Sequence, residues 1–251
     1  MISVIVPTIH QVELVQQCIN SYRSTTFDLP SEIFVIDDGS SPSIQQALHE
    51  WTSADGIHFI AKPSNEGFSK AVNTGIAASS GEYVLLVNND IIFQQTGWLT
   101  PMMHLMDVSQ DIGIVGARLL YPNHTIQHGG VFPTRRGYFN HRYRYQPAEH
   151  PPALVIEDVH AVTGALMLIR RSLLQQIGML SERYFIAYED IDLCYRAKKH
   201  GYRVVYCGTS YAIHLEGQTR GTTRQNKNPY WYHKEREARA LFWSVWRGER
   251  F

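Results

Sequence analysis

Ile33-Phe34-Val35-Ile36-Asp37-Asp38-Gly39-Ser40-Ser41 holds, in one short stretch, a buried strand and the polar turn that stops it. Four consecutive large apolar residues leave no polar face, which suits the interior of a parallel sheet better than a half-solvated strand. Working outward, Ile2–Val6 is a second such run and ends at Pro7. Ile57–Ile60 is a third, and Tyr83–Val87 a fourth that ends in Asn88-Asn89-Asp90. Between them, residues 11–25 place Val12, Leu14, Val15, Cys18, Ile19 and Tyr22 near a helical period. Residues 43–52 read as helical, and a small-residue helix is expected from about Ser69 to Ala78. Strand and helix alternate, so the chain is expected to form an α/β fold with a mostly parallel central sheet flanked by helices. Such sheets bind ligands beyond the carboxyl ends of their strands. Pro7-Thr8, Asp37-Asp38 and Asn88-Asn89-Asp90 fall at three such ends. One polar cluster is ordinary turn chemistry; three at successive strand ends favour a nucleotide site.

Composition narrows the partners. The 251 residues include 23 basic and 23 acidic side chains, so no basic excess exists to grip nucleic acid. An anionic small molecule would need local donors or a metal. Three cysteines, Cys18, Cys194 and Cys207, form no CxxC pair, which disfavours a disulfide framework or structural zinc and fits a reducing cytoplasm. The first residues lack the pattern of a signal peptide. No run approaches the ~20 apolar residues of a membrane helix. Asn123-His124-Thr125 is a formal glycosylation sequon without meaning in a cytoplasmic protein.

The second half is less periodic. Gly113–Leu120 reads as a strand, Val162–Ile169 as another apolar stretch, and Ser172–Ile177 as a short helix. Residues 122–160 are polar, with Arg135, Arg136, Arg142 and Arg144 interleaved among Tyr138, Phe139, Tyr143 and Tyr145. A solvated excursion and a flexible rim over the site account for them equally well. Tyr188-Glu189-Asp190-Ile191-Asp192 follows the apolar Tyr184, Phe185 and Ile186. Acids are favoured in a first helical turn. A carboxylate against an apolar run can also have its pKa raised and act as a general base. Leu193, Ala197 and the stem of Lys198 would share one face of this helix, and Gly201 would close it. Tyr202–Tyr206 is expected to be a strand, with Ala212-Ile213-His214 near the end of another. Residues 233–251 read as an amphipathic helix that packs back on the domain, the alternative being a partner or membrane surface. The stop after Trp246-Arg247-Gly248 suggests one domain of a longer protein.

Seven ordered motifs fit one pattern. They are Val4-Ile5-Val6-Pro7-Thr8, Val35-Ile36-Asp37-Asp38-Gly39-Ser40, Asn65-Glu66-Gly67-Phe68 with Asn73-Thr74-Gly75-Ile76, Gly81-Glu82-Tyr83 leading to Asn88-Asn89-Asp90, Thr163-Gly164-Ala165-Leu166-Met167, Glu189-Asp190-Ile191-Asp192-Leu193-Cys194, and His214. From Ile2 to about Gly221 the chain resembles the family 2 glycosyltransferases with the GT-A fold, especially the bacterial branch that builds O-antigen, capsule and rhamnan polysaccharides. The resemblance implies a nucleotide-diphosphate sugar donor, a glycan or lipid-linked glycan acceptor, and inversion at the transferred sugar. It assigns the donor to Pro7, Thr8, Asp37, Asp38, Asn65, Gly67, Asn73, Asn89, Asp90 and Arg220. It assigns the acceptor to Gly164, Ala165 and Glu189. Asp190 would be the base, with Glu189 orienting it and Asp192 facing away as a helix-end residue. Asn88-Asn89-Asp90 stands where the family has Asp-x-Asp, so Asp90 alone supplies a carboxylate. With His214 it would hold Mn2+ or Mg2+. Arg220 and Arg224 would clamp phosphate oxygens or lie in a solvated loop.

The expected organisation is a domain over residues 1–221, with a nucleotide-sugar half at 1–100 and an acceptor half at 101–221, then a helical extension over 222–251. Two other enzyme classes are disfavoured. The first strand lacks the Gly-rich loop of sugar-phosphate nucleotidyltransferases, and no GxGxxG follows a strand. A non-catalytic scaffold domain of a larger synthase remains the alternative, with Asn88 in its favour and the retained Asp37, Asp90, Asp190 and His214 against it. The expected location is cytoplasmic, at or near the inner membrane face.

Overall fold

The computed structural model describes residues 1–26, 29–217 and 229–249. The chain runs β1 (Ile2–Thr8), α1 (Val12–Thr25), β2 (Ser31–Asp37), α2 (Pro42–Ala54), β3 (His58–Ala61), α3 (Phe68–Ala78) and β4 (Tyr83–Val87). After a short β5 (Ile91–Ile92) come α4 (Leu99–Val108) and β6 (Ile112–Leu120). Three short strands follow, β7 (Ile126–His128), β8 (Val131–Pro133) and β9 (Phe139–His141), and then β10 (Ile156–Asp158). The chain ends in β11 (Leu166–Arg170), α5 (Arg171–Ile177), α6 (Glu189–Lys199), β12 (Arg203–His214) and α7 (Pro229–Trp246).

The main sheet has the order β10-β12-β6-β11-β4-β1-β2-β3. β3, β2, β1 and β4 are parallel neighbours; β1, β2 and β4 carry the buried apolar runs, while β3, at the edge, exposes His58. β11 enters antiparallel between β4 and β6, and β6 and β12 are parallel again. The sheet separates two cores. Ile2, Val4 and Val6 face α1 and α4 with Trp98 and Met102; Ile5, Ile36, Val84 and Leu86 face α3, α5, α6 and α7.

Tyr202–Tyr206 and Ala212–His214 prove to be one strand, β12, whose register shifts between Cys207 and Tyr211. Beyond that irregularity the strand pairs with β6 up to Ile213 and, on its other edge, with β5, so His214 lies opposite Ile91. The 122–160 segment is partly a solvated excursion and partly a rim, since Gln127, Val131, Phe139 and His141 line the cleft described below. Ile126, Gln127, His128 and Val131 are buried, while Arg135 and Arg136 are exposed. α7 packs back on the domain, burying Ala238, Phe242 and Trp246. No helix among the described residues is long and apolar enough to cross a membrane. The cysteines are buried and free.

Candidate functional site

A cleft of about 320 Å3 opens where β1, β2 and β4 end, a size at the lower end of small-molecule sites. Pro7, Thr8, Asp38, Asn65, Gly67, Asn89 and Asp90 line it, as expected. Asn89 Nδ2 donates to Thr8 Oγ1 at 2.9 Å, tying the ends of β4 and β1 together. Asp38 accepts from the N–H groups of Glu66 (3.1 Å) and Gly67 (2.9 Å) and lies 3.3 Å from Lys62 Nζ, which fixes the loop before α3. Gly67 has φ +96°, and a Cβ there would sit 2.5 Å from the Phe185 carbonyl oxygen. Only glycine allows this approach. Phe68 N–H donates to that same oxygen at 2.9 Å, joining the two walls of the cleft.

Two expected donor residues lie elsewhere. Asp37 is fully buried and absent from the cleft lining. Its carboxylate accepts from the Ser40 N–H (2.9 Å), the Ser40 hydroxyl and Gln45 Nε2 (2.8 Å), so it holds the turn after β2. Asn73 is also buried. Its amide donates to Leu180 O (2.9 Å) and Glu182 (3.0 Å) and accepts from Leu180 N–H (3.0 Å), anchoring α3 to the loop after α5. Both are polar groups satisfied inside the fold. Arg220 and Arg224 lie outside the described residues.

Asp90 and His214 meet because β5 pairs with β12. Asp90 Oδ1 lies 3.1 Å from His214 Nε2, and both residues are nearly buried. His214 Nδ1 is 2.7 Å from Gln127 Oε1. The Gln127 amide is oriented by its nitrogen, which donates to Glu216 Oε2 (3.2 Å) and His214 O (3.4 Å). Its oxygen therefore accepts, and the proton of a neutral His214 sits on Nδ1. This leaves the Nε2 lone pair facing a carboxylate, an arrangement that suits a cation between them. Asn88 Oδ1 is buried in the same wall with no hydrogen-bond partner among the described residues. These donors fit a divalent ion that takes its other ligands from a diphosphate. No group of three or more His, Cys, Asp or Glu suited to a metal exists among the described residues.

Asp190 and Glu189 line the same cleft. Asp190 Oδ2 accepts from Gly164 N–H at 2.9 Å and Oδ1 from Ile191 N–H at 2.8 Å. A Cβ on Gly164 would stand 3.2 Å from that of Asp190, so β11 and α6 touch through the missing side chain. Ala165 lines the cleft as well. The chain enters α6 through Ala187 (φ 66°) and Tyr188 (φ 69°), both left-handed. Such strain in non-glycine residues persists only when packing enforces it. Here the Tyr188 ring lies against Phe139 and Phe242.

Asp192 does face away from the cleft, but it is not a solvated helix-end acid. It is 4% exposed and accepts from Arg196 Nε (2.8 Å), Trp246 Nε1 (2.9 Å) and the Tyr184 hydroxyl (3.4 Å). The helix ends at Lys199 with Gly201 at φ +82°, as the sequence suggests. Phe139, Phe185 and Tyr188, noted in the sequence as aromatic neighbours of the site, also line the cleft, as do Gln127, His141 and Trp231, to which the sequence reading assigns no role. The interleaving of aromatic and polar residues over 122–160 was the available signal.

A family model described as Glycosyl transferase family 2 matches residues 3–178. Over 238 residues the chain is 26% identical to the O-antigen biosynthesis protein RfbC of Myxococcus xanthus, covering 92% of this chain and 18% of RfbC. Over 232 residues it is 25% identical to the N-acetylglucosaminyl-diphospho-decaprenol L-rhamnosyltransferase of Mycobacterium tuberculosis, covering 79% and 71%. It spans 25% and 59% of two further relatives, each 30% identical, so it matches only part of several longer proteins. The structure of the mannosyltransferase PcManGT from Pyrobaculum calidifontis in complex with GDP-Man and Mn2+ superposes with a TM-score of 0.65 at 14% identity, covering 100% of this chain and 76% of that one. The chain belongs to glycosyl transferase family 2 and has the GT-A fold.

Proposed function

From that membership, we propose that the chain is an inverting glycosyltransferase of surface-glycan synthesis. It moves a sugar from a nucleotide diphosphate, dTDP-rhamnose or a UDP-sugar, to a hydroxyl of a glycan or lipid-linked glycan. The observation that carries this reading is the sharing of one cleft, beyond the strand ends, by Asp190 and the Asp90–His214 pair. The rhamnosyltransferase and O-antigen relatives support the donor and the pathway class.

In this reading residues 1–100 bind the nucleotide through Pro7, Thr8, Asp38, Asn65, Gly67 and Asn89. Residues 101–221 carry the acceptor and the base. Asp90 and His214 hold Mn2+ or Mg2+, with Asn88 Oδ1 at hand; when bound, the ion offsets negative charge on the departing diphosphate. Asp190 takes the proton of the acceptor hydroxyl. As that proton leaves, the hydroxyl oxygen forms its bond to the anomeric carbon from the face opposite the diphosphate. The bond from that carbon to the diphosphate oxygen breaks, its electron pair leaves with the nucleotide diphosphate, and the carbon inverts. The Gly164 and Ile191 N–H groups aim the carboxylate, and the buried Glu189 borders the acceptor.

The test is release of free nucleotide diphosphate from a sugar nucleotide in the presence of an acceptor. Release should require a divalent cation. General-base assistance contributes roughly 10²–10⁴-fold, so Asp190→Asn should lower turnover by about that factor and keep most donor binding. Undiminished turnover in that variant would remove Asp190 from the role. Absence of any release by the wild-type chain would return the scaffold reading.

A further inference from the structure

A buried histidine and a half-buried one meet at the cleft wall. His128 is fully buried, and its Nδ1 lies 2.7 Å from Nδ1 of His141. Of two imidazole nitrogens at that distance, one must carry the proton and the other must accept it. The Gly130 N–H settles which: it donates to His128 Nε2 at 3.4 Å, so that nitrogen bears a lone pair. A neutral His128 then carries its proton on Nδ1 and donates it to His141 Nδ1. A neutral His141 in turn carries its own proton on Nε2. His141 lines the cleft, and its Nε2 has no hydrogen-bond partner among the described residues. Burial of both rings favours the neutral forms, with the His141 pKa pushed down to about 4 and that of His128 well below its ordinary value.

We propose that His141 is a substrate-binding residue whose Nε2–H, fixed by His128, donates a hydrogen bond to an oxygen of the bound sugar nucleotide. This rests on the sugar-nucleotide reading above. The shared chemistry is an anionic or hydroxyl oxygen: a phosphate oxygen of the diphosphate or a hydroxyl of the transferred sugar. A neutral donor suits this position. A charged imidazolium would repel the cation that Asp90 and His214 are built to hold, and a bare nitrogen would repel the substrate oxygen. His128 is a positioning residue that acts only through His141.

The test measures Mn2+-supported binding of dTMP, dTDP and dTDP-rhamnose, and of UMP, UDP and UDP-glucose, by titration calorimetry. His141→Phe removes the donor, and His141→Gln keeps an N–H. We expect the Phe variant to lose on the order of tenfold in affinity and the Gln variant to recover most of it. Loss for the diphosphates but not the monophosphates assigns a phosphate oxygen; loss for the sugar nucleotides alone assigns a sugar hydroxyl. Equal binding of every probe by His141→Phe and the wild type overturns the proposal. Failure of the wild type to bind any probe overturns the sugar-nucleotide reading instead, and this inference with it. Two-bond 1H–15N correlation spectra supply the second readout. They should show His141 protonated on Nε2 and His128 on Nδ1. His128→Asn, which can still donate, should keep the His141 pattern, whereas His128→Phe should not. A His141 proton on Nδ1 in the wild type also overturns the proposal.

Discussion

At the residue scale the cleft is organised by where protons sit. Gln127 settles the Nδ1 proton of His214 and so presents the Nε2 lone pair towards Asp90. Outer partners of metal-binding histidines typically matter by 10–100-fold in affinity. Gln127→Leu should therefore weaken Mn2+ binding by about that factor, measured by electron paramagnetic resonance of free Mn2+ with UDP present, while Gln127→Glu, which retains an acceptor, should weaken it less. The His128–His141 pair makes a separate prediction. The folded pKa of His141 is about 4, below the ordinary histidine value, because of burial first and the Arg144 charge second. The fold thus favours the neutral ring. Its contribution is complete above about pH 6.5 and is lost as pH falls towards 4. Melting curves from pH 7 to 4.5 should fall less steeply for His141→Gln than for the wild type. Asp90, Asp190 and His214 were legible in the sequence because each ends an apolar run or lies in a motif. Asp37 and Asn73 look the same in sequence but are spent on internal hydrogen bonds. No local pattern separates an acid that closes a turn from one that faces a ligand.

At the element scale α6 has two duties on two faces. One presents Glu189 and Asp190 to the cleft; the other buries Asp192 as the meeting point of Arg196, Tyr184 and Trp246. α7 is latched there and at the β8–β9 turn, where Trp243 Nε1 donates to Gly137 O at 2.7 Å. Asp192→Ala would leave a largely buried guanidinium without its carboxylate, a loss of about 3 kcal/mol. In a chain of this size that corresponds to a fall in Tm of roughly 6–12 °C, readable by circular dichroism. Trp246→Phe, which removes one donor and keeps the ring, should cost about 1 kcal/mol. The strands and helices from β1 to β4 were legible to within a residue or two from their apolar runs and periods, whereas β5 and α4 had no counterpart in the sequence reading. β12 was not read as one strand, since its irregular Gly208-Thr209-Ser210 interrupts the apolar signal. The short β7–β9 strands were unreadable because three residues each are too few to show a period.

At the scale of the whole molecule, a parallel four-strand half carries Pro7, Thr8 and Asp38 at the cleft, and a mixed half carries Asp190 and the C-terminal helix. A ligand that binds only this assembled cleft should raise Tm by mass action, by an amount equivalent to about 2.7 kcal/mol at a hundredfold excess over its Kd. Screening sugar nucleotides with and without Mn2+ by thermal shift should give a donor-specific rise that depends on the ion; a rise equal for all nucleotides would argue against donor selectivity in this chain. The family motifs made the architecture legible before any coordinate was known, but not how its halves are joined. Besides the pairing of β4 with β11, the halves meet at the cleft through the Phe68 N–H to Phe185 carbonyl bond, with Gly67 close against Phe185. Any change of sugar preference must respect this seam. A bulkier residue in the loop before α3 also displaces the backbone that leads into α6, so substitutions at one side of the cleft should fail where paired substitutions on both succeed.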